Sequence, residues 1–279
     1  MDKKKINRRH LIQALGVLVF NGNLKGFLTG KIYQGKLKNL CVPVLNCYAC
    51  PGAVGSCPIG SLQAISNHKN FNLSFYVLGL IGLFGILLGR FFCGYLCPFG
   101  FFQDLLAKIP SKKIRIKNRF NNIVRYSILI IMVFLIPIFV TDKFGMGDPV
   151  FCKYICPSGT LLGAFPLLTV NPALRGAIGS LFFLKVGIFV AISVLSIFIF
   201  RFFCRLICPL GALLGLFNPV SFYRFRIDDS CISCGKCERA CKMGINPVET
   251  PNSTECIRCD DCVKECPVSA IKKEFKLKD

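Results

Sequence analysis

The chain contains few histidines and few acidic residues. Among its 279 residues only His10 and His68 are histidines, and 14 aspartates and glutamates stand against 35 lysines and arginines. The topology predicted below places the two histidines on opposite faces of a membrane, which argues against a haem held between them. The residues Asp104, Asp142 and Asp148 lie at or beyond the ends of the apolar runs. Apolar segments without carboxylates are unlike ion pathways, so the sequence also argues against ion or metal transport.

Long apolar runs are the first feature that the chain does have. Hydrophobic residues make up 53% of it, and the mean hydropathy is +0.56, a composition typical of membrane proteins. About 20 residues of helix cross a hydrocarbon core. By that measure three runs predict transmembrane helices: 75–89, 126–141 and 177–200.

A fourth apolar segment, 10–30, is interrupted by Asn21, Asn23 and Lys25. Three interpretations stay open for it: a full span, a half-span and an interfacial helix. We do not expect it to be a signal peptide, because no small-residue cleavage site follows its short apolar core.

The net charge of +21 is concentrated in the apolar part of the chain. From Asp228 to Asp279 there are 9 basic and 10 acidic residues, whereas the preceding residues hold 26 basic and 4 acidic ones. The densest basic blocks, 3–9 and 108–119, flank apolar runs, and the positive-inside rule places both in the cytoplasm. A nucleic-acid-binding face would need its basic residues on a soluble domain. We therefore predict no nucleic-acid partner.

Eighteen cysteines are the largest departure from an average composition. Two runs, 231–241 and 256–266, have the spacing C-x2-C-x2-C-x3-C, in which three cysteines bind one [4Fe–4S] cluster and the fourth binds the other. Zinc is the alternative, although zinc ligands usually come as separated C-x2-C pairs. The pattern predicts a small α+β ferredoxin domain over 226–279. One cluster would use Cys231, Cys234, Cys237 and Cys266, and the other Cys241, Cys256, Cys259 and Cys262.

Residues 1–225 contain an internal repeat, with units at about 41–110 and 145–220. CPIGSLQA (57–64) aligns with CPSGTLLG (156–163), and RFFCGYLCPFG (90–100) aligns with RFFCRLICPLG (201–211). Duplicated units are a common way to build a membrane bundle. The predicted fold class is a mainly α membrane protein: a four-helix transmembrane bundle made from a duplicated unit, followed by the two-cluster ferredoxin domain.

The predicted topology sorts nine of the ten remaining cysteines into two sets, and Cys41 is a more distant sixth candidate for the outer one. The inner set, at the cytoplasmic face, consists of Cys93, Cys97, Cys204 and Cys208. Cysteines at i and i+4 project from one face of a helical turn, so two such turns offer four thiolates for a cluster. Zinc and ordinary packing of free thiols are the alternatives. The outer set is four of five residues: Cys47, Cys50, Cys57, Cys152 and Cys156. For these, disulfides are the alternative, because disulfides form in oxidising compartments outside the cytoplasm.

With these motifs, four predicted helices and a C-terminal ferredoxin, the chain resembles the NapH-type membrane polyferredoxins, which are related to the membrane parts of the NosR and CcoG families. That resemblance implies an iron–sulfur protein that carries electrons between a cytoplasmic donor or quinol pool and an extracytoplasmic redox partner. It implies a multi-pass protein of a prokaryotic cytoplasmic membrane, in contact with lipid and with both termini in the cytoplasm. Expected cofactors are two [4Fe–4S] clusters in the tail and one or two further Fe–S clusters in the membrane part, with quinone as a further candidate.

The resemblance leaves open whether the chain is an oxidoreductase component or an electron carrier alone. A second class of function also remains: a membrane-anchored redox sensor or metalloenzyme-maturation factor that conducts no electrons across the membrane. No catalytic acid, base or substrate pocket can be identified in the sequence.

Overall fold

The computed structural model describes residues 8–65, 75–114, 116, 118–140 and 147–276, and most of these are helical. Wider π-helical turns occupy Leu129–Leu135, Phe151–Ile155 and Gly159–Ala164, and a 3-10 turn occupies Lys36–Asn39. The strands are β1 (Tyr223–Ile227) and β2 (Ile271–Phe275). The α-helices are α1 (Arg8–Phe20), α2 (Leu24–Thr29), α3 (Pro58–Ile65), α4 (Phe75–Leu88), α5 (Phe91–Tyr95), α6 (Pro98–Leu106), α7 (Asn118–Ile128), α8 (Ile136–Phe139), α9 (Phe165–Val170), α10 (Pro172–Arg175), α11 (Ser180–Phe198), α12 (Phe202–Leu206), α13 (Pro209–Leu216), α14 (Lys236–Ala240) and α15 (Asp261–Lys264).

In the part of the chain that the structure describes, two helices are long and apolar enough to cross a membrane. One is α11, with 19 residues, and the other is the 20-residue stretch Phe120–Phe139, where α7 runs through a π turn into α8. Only 11% and 22% of their most apolar windows are buried inside the protein. A helix in a soluble core would be mostly covered, so these apolar faces suit contact with lipid. The predicted runs 126–141 and 177–200 thus form apolar helices, and the run 75–89 forms the shorter apolar helix α4.

The interrupted segment 10–30 forms two short helices, α1 and α2, separated at Asn21–Asn23. Asn23 Nδ2 donates to the carbonyl oxygen of Pro51 at 2.9 Å. Asn21 Oδ1 accepts a hydrogen bond from Cys50 Sγ at 3.2 Å. The two asparagines therefore break the helix and hold the 50–54 loop, which accounts for polar residues in an otherwise apolar segment.

The sequence repeat recurs in the structure. Helices α5 and α6 of the first unit correspond to α12 and α13 of the second, and in each unit the second cysteine of C-x3-C-P caps the following helix. Cys97 precedes α6 and Cys208 precedes α13, both in an extended conformation with proline at the first helical position. Proline fits there because its fixed φ is already helical and its missing N–H would be unpaired in any case.

The tail forms a small unit around a two-stranded antiparallel sheet. Strand β1 pairs with β2 in a register that sets Tyr223 opposite Phe275 and Ile227 opposite Ile271. Phe225, Ile271 and Cys237 form its small core, against which Cys266 packs. Because β1 begins at Tyr223, the sheet includes residues ahead of the predicted boundary at 226.

Candidate metal centres

The structure brings the four cysteines of the inner set together. The Cys208 thiol lies close enough to Cys93, Cys97 and Cys204 for their charges to interact, and Cys97 has the same relation to Cys93 and Cys204. All four are buried. Residues more than 100 positions apart thus meet, because α5 and α12 carry the two copies of the duplicated motif and lie close together.

Four of the five outer candidates also meet. Cys152 lies within charge-interaction range of Cys156, Cys57 and Cys47. The fifth candidate, Cys50, lies near Cys47 and donates to Asn21 Oδ1 at 3.2 Å. The fold thus groups Cys47, Cys57 and Cys156 around Cys152, with Cys50 next to Cys47.

Neither set converges on a single point. Among the described residues, which include all 18 cysteines, no three Cys, His, Asp or Glu side chains are arranged to hold one metal ion. Each set consists of cysteine sulfurs alone, which matches the cysteine ligation of a [4Fe–4S] cluster.

The four C-P-x-G motifs each place a glycine three residues after a cysteine: Gly60, Gly100, Gly159 and Gly211. In the last of them the backbone N–H of Gly211 donates to Cys208 Sγ at 3.4 Å. This N–H belongs to the first turn of α13, and a helix N-terminus favours negative charge and therefore a thiolate. Two of the glycines are also tightly packed, since a Cβ on Gly100 would lie 3.0 Å from the Cys93 carbonyl oxygen and one on Gly211 would lie 3.1 Å from Arg90 Nη2.

Two buried arginines link the repeat units across the inner set. Arg90 of the first unit donates to the carbonyl oxygen of Cys204 at 3.2 Å, and Arg201 of the second unit donates to that of Cys93. Each arginine thus fixes the cysteine loop of the other unit. Sequence analysis did not single them out, although both open the RFFC repeat.

Asp104 balances the charge of Arg201. Its carboxylate accepts two hydrogen bonds from Arg201, each 2.7 Å long, one from Arg9 at 2.7 Å and one from Gln13 at 2.8 Å. Burial alone would raise the pKa of Asp104, but the two guanidinium groups hold it below its usual range. The group is therefore an anion that secures the N-terminal helix α1 to the inner set.

The ferredoxin-like tail packs directly on the inner set. The carbonyl oxygen of Ile257 lies 2.2 Å from the position that a Cβ of Gly94 would occupy, so only glycine allows this approach. Next to Ile257, Glu255 is buried against Arg125 at 2.6 Å and Arg90 at 3.6 Å. Tyr95 Oη donates to Asp260 at 2.8 Å. The loop that carries the second cysteine run therefore lies against α5.

The tail cysteines also lie near one another. Cys262 lies within charge-interaction range of Cys256, Cys259 and Cys241, and Cys237 has this relation to Cys231 and Cys234. Cys266 packs on the small core that contains Cys237.

Each tail run bends around its cysteines through the same pair of left-handed residues. Ser233 and Gly235 have positive φ in the first run, and Arg258 and Asp260 have it at the corresponding places in the second. Three of these four are not glycine, and such strain is typical of functional loops.

Burial keeps the tail thiols neutral when no metal is bound. It raises the pKa of Cys256 to about 11 and that of Cys259 to about 12. Ligation requires the thiolate, so metal binding at these loops releases protons.

The inner and outer sets are joined by one short backbone segment. The backbone of Leu45 lies beside the sulfur of Cys97, in the inner set, and the backbone of Asn46 lies beside that of Cys57, in the outer set. The Asn46 N–H itself donates to the carbonyl oxygen of Val44 at 3.0 Å. Val44, Leu45 and Asn46 are all buried. Consecutive peptide groups therefore touch both sets.

Helix α11 gives an independent measure of the distance between the inner and outer sets. Lys185 Nζ donates to the carbonyl oxygen of Cys152 at the outer set, and Ser196 Oγ contacts Gln103, which reaches the inner set. A rise of 1.5 Å per residue puts Lys185 and Ser196 about 16 Å apart along the helix axis. That is about half of the ~30 Å thickness of a hydrocarbon core.

Comparison with known families identifies the class of this site. Three segments, 70–117, 124–165 and 181–227, match the 4Fe-4S binding domain family. Each segment contains one C-x3-C-P motif, at Cys93–Cys97, Cys152–Cys156 and Cys204–Cys208. The apolar part of the chain is therefore similar to this 4Fe-4S binding domain family. The matched segments end before the tail cysteines and do not include Cys47 or Cys57.

Similar proteins support the same class. An uncharacterized protein of Methanocaldococcus jannaschii is 29% identical over 72% of this chain and 79% of its own length. The putative electron transport protein YccM of Escherichia coli is 25% identical over 66% of this chain and 51% of its own length. The ferredoxin-type protein NapH of Haemophilus influenzae is 27% identical over 69% of this chain and 65% of its own length. These relatives confirm the resemblance to NapH-type polyferredoxins. No solved structure matches the chain.

Proposed function

We propose that this chain is a membrane-bound iron–sulfur protein that carries electrons between a cytoplasmic donor or quinol pool and an extracytoplasmic redox partner. The relatives support an electron-transfer role, since two of them are described as an electron transport protein and a ferredoxin-type protein. The exposed apolar faces of α11 and Phe120–Phe139 support a place in the membrane.

Sixteen cysteines would hold four [4Fe–4S] clusters. When bound, such clusters supply one-electron redox chemistry. The inner set and the outer set would each hold one. The tail would hold one on Cys231, Cys234, Cys237 and Cys266, and one on Cys241, Cys256, Cys259 and Cys262.

The observation that carries the proposal is the unbroken order of contacts between the cysteine groups. Cys234 in the first tail run is exposed. The second run packs on the inner set through Ile257 and Gly94. Leu45 and Asn46 then join the inner set to the outer set. No gap the width of a membrane separates successive groups.

The protein's own residues fix these groups relative to one another. Glu255, Arg90 and Arg125 form a buried ionic contact between tail and bundle, and Asp104 does the same between α1 and α12. In the outer set, Lys185 holds the Cys152 loop from α11. These contacts fix the spacing of the four cysteine groups.

Iron and acid-labile sulfide analysis of anaerobically purified protein, together with EPR, tests the assignment. Four clusters of four irons predict about 16 iron atoms per chain. About 8 would mean that only the tail is occupied. In that case the protein would fit a redox sensor or maturation factor better than a conductor.

Conduction itself is tested in liposomes. A reduced donor is enclosed inside and an impermeant oxidised acceptor is added outside. We expect acceptor reduction in liposomes that contain the protein, and none in those that contain Cys204→Ser at equal protein density. Equal rates in both would contradict the proposed path through the inner set.

A further inference from the structure

Two buried glutamines make the same three contacts at the two membrane-domain cysteine sets. Gln103 Nε2 donates to Cys204 Sγ at 3.0 Å, and Gln63 Nε2 donates to Cys152 Sγ at 3.3 Å. Gln103 Oε1 accepts the backbone N–H of Phe203 at 3.1 Å, and Gln63 Oε1 accepts that of Phe151 at 2.9 Å. In both cases the second N–H of the amide donates to the carbonyl oxygen four residues earlier, that of Phe99 or Ile59.

The orientation of each amide follows from its partners. A backbone N–H can only donate, so the amide oxygen must face Phe203 or Phe151, and the NH2 group must face the sulfur. Both side chains are fully buried. Each glutamine is thus held with an N–H directed at one cysteine sulfur.

The contacts cross between the repeat units. Both glutamines belong to the first unit, six residues after Cys57 and Cys97, and both bind the first cysteine of a second-unit C-x3-C-P motif. The corresponding second-unit positions hold Leu162 and Leu214, which cannot donate. One sulfur in each set therefore accepts a hydrogen bond from a glutamine side chain, that of Cys204 in the inner set and that of Cys152 in the outer set.

We propose that Gln63 and Gln103 are positioning residues that set the reduction potential of the clusters held by the outer and inner sets. Reduction adds negative charge to a cluster and its thiolates. An N–H directed at a ligand sulfur stabilises that charge, so it raises the potential. The same amide oxygen fixes the cysteine loop through its backbone N–H, so one side chain both places the ligand and adjusts its electronics. This inference rests on the proposed occupancy of the two sets.

The test is an EPR-monitored redox titration of the full-length protein, with the variants Gln103→Glu and Gln63→Glu. Glutamate keeps an oxygen for the phenylalanine N–H and removes the amide donor. We expect Gln103→Glu to lower the midpoint potential of one membrane-domain signal and Gln63→Glu that of the other, while the two tail signals stay unchanged. Gln103→Leu and Gln63→Leu, which copy the second-unit residues, should lower the same two potentials.

Two controls separate tuning from simple support. Gln13 is a buried glutamine that binds Gly94 and Asp104 but no sulfur. Gln13→Leu should therefore lower thermal stability without shifting the membrane-domain signals.

The chain has only four glutamines, at positions 13, 34, 63 and 103. Side-chain 15N labelling of glutamine should then give a nitrogen hyperfine coupling in each membrane-domain signal, and Gln103→Leu should abolish it in one.

The outcomes also separate this inference from the proposed function. Membrane-domain signals with unshifted potentials in both the Glu and Leu variants, at full iron content, would overturn the role of the glutamines alone. A wild-type protein with only tail signals would overturn the occupancy on which it rests.

Discussion

The carbonyl oxygen of Ile257 lies 2.2 Å from the point at which a Cβ of Gly94 would stand. Gly94 separates the two inner cysteines of the first unit, and Ile257 follows the first cysteine of the second tail run. The corresponding residue in the second repeat unit is Arg205, whose Nη2 lies 3.8 Å from the position that a Cβ of Gly244 would occupy. The approach of Ile257 requires glycine in the first unit, whereas the matching position of the second unit holds a long side chain.

Gly94→Ala should loosen the tail from the bundle, because the Ile257 carbonyl has to move away from the new methyl group. We expect faster proteolytic release of the tail and slower electron flux in liposomes. Gly79→Ala and Gly187→Ala are matched controls, since both glycines lie within helices and nothing stands within 4 Å of their added methyl groups. If all three variants released the tail at the wild-type rate, the contact would not hold it.

Glu255→Gln should destabilise the protein strongly. It leaves Arg90 and Arg125 buried without their anion, and breaking a buried ion pair costs about 3–5 kcal/mol. The thermal unfolding midpoint in detergent measures this loss. Glu274→Gln is the control, because the Arg226–Glu274 pair is 3.5 Å long with side chains 72% and 33% exposed, and such surface pairs contribute about 1 kcal/mol or less.

Asp104→Asn should also lower the unfolding midpoint, by removing the charge that balances Arg201 and Arg9. We expect a loss of about 3–5 kcal/mol, for the same reason. Asp148→Asn serves as the comparison, because the Asp148 carboxylate pairs with Lys153 and is more exposed than that of Asp104. Equal midpoints for the two variants would show that burial does not strengthen the Asp104 contact.

The variants Cys47→Ser and Cys50→Ser should differ in the number of iron atoms that they bind. The fold places Cys47 with Cys57, Cys152 and Cys156, whereas Cys50 is hydrogen-bonded to Asn21. Cys47→Ser should lose about four irons, one cluster's worth, and Cys50→Ser none. The reverse result would exchange these two residues in the outer set.

Sequence spacing by itself predicted the groups that short-range geometry controls. The two C-x2-C-x2-C-x3-C runs and the paired C-x3-C-P motifs bring sulfurs together within one or two turns of backbone, so their partners can be inferred without the fold. Hydropathy likewise predicted the apolar helices over 126–141 and 177–200, because a continuous apolar run is itself the signal for helix in lipid. The ligand roles and the division into domains stay predictions.

Tertiary structure alone decided the contacts between distant parts of the chain. It brought Cys47 near Cys152, broke the segment 10–30 into two helices, and set Leu45 and Asn46 between the inner and outer sets. It also placed the side-chain amides of Gln63 and Gln103 against the sulfurs of Cys152 and Cys204, about 90 and 100 residues away. Such contacts leave no periodicity or spacing in the sequence, because they depend on how the two repeat units and the tail pack against one another.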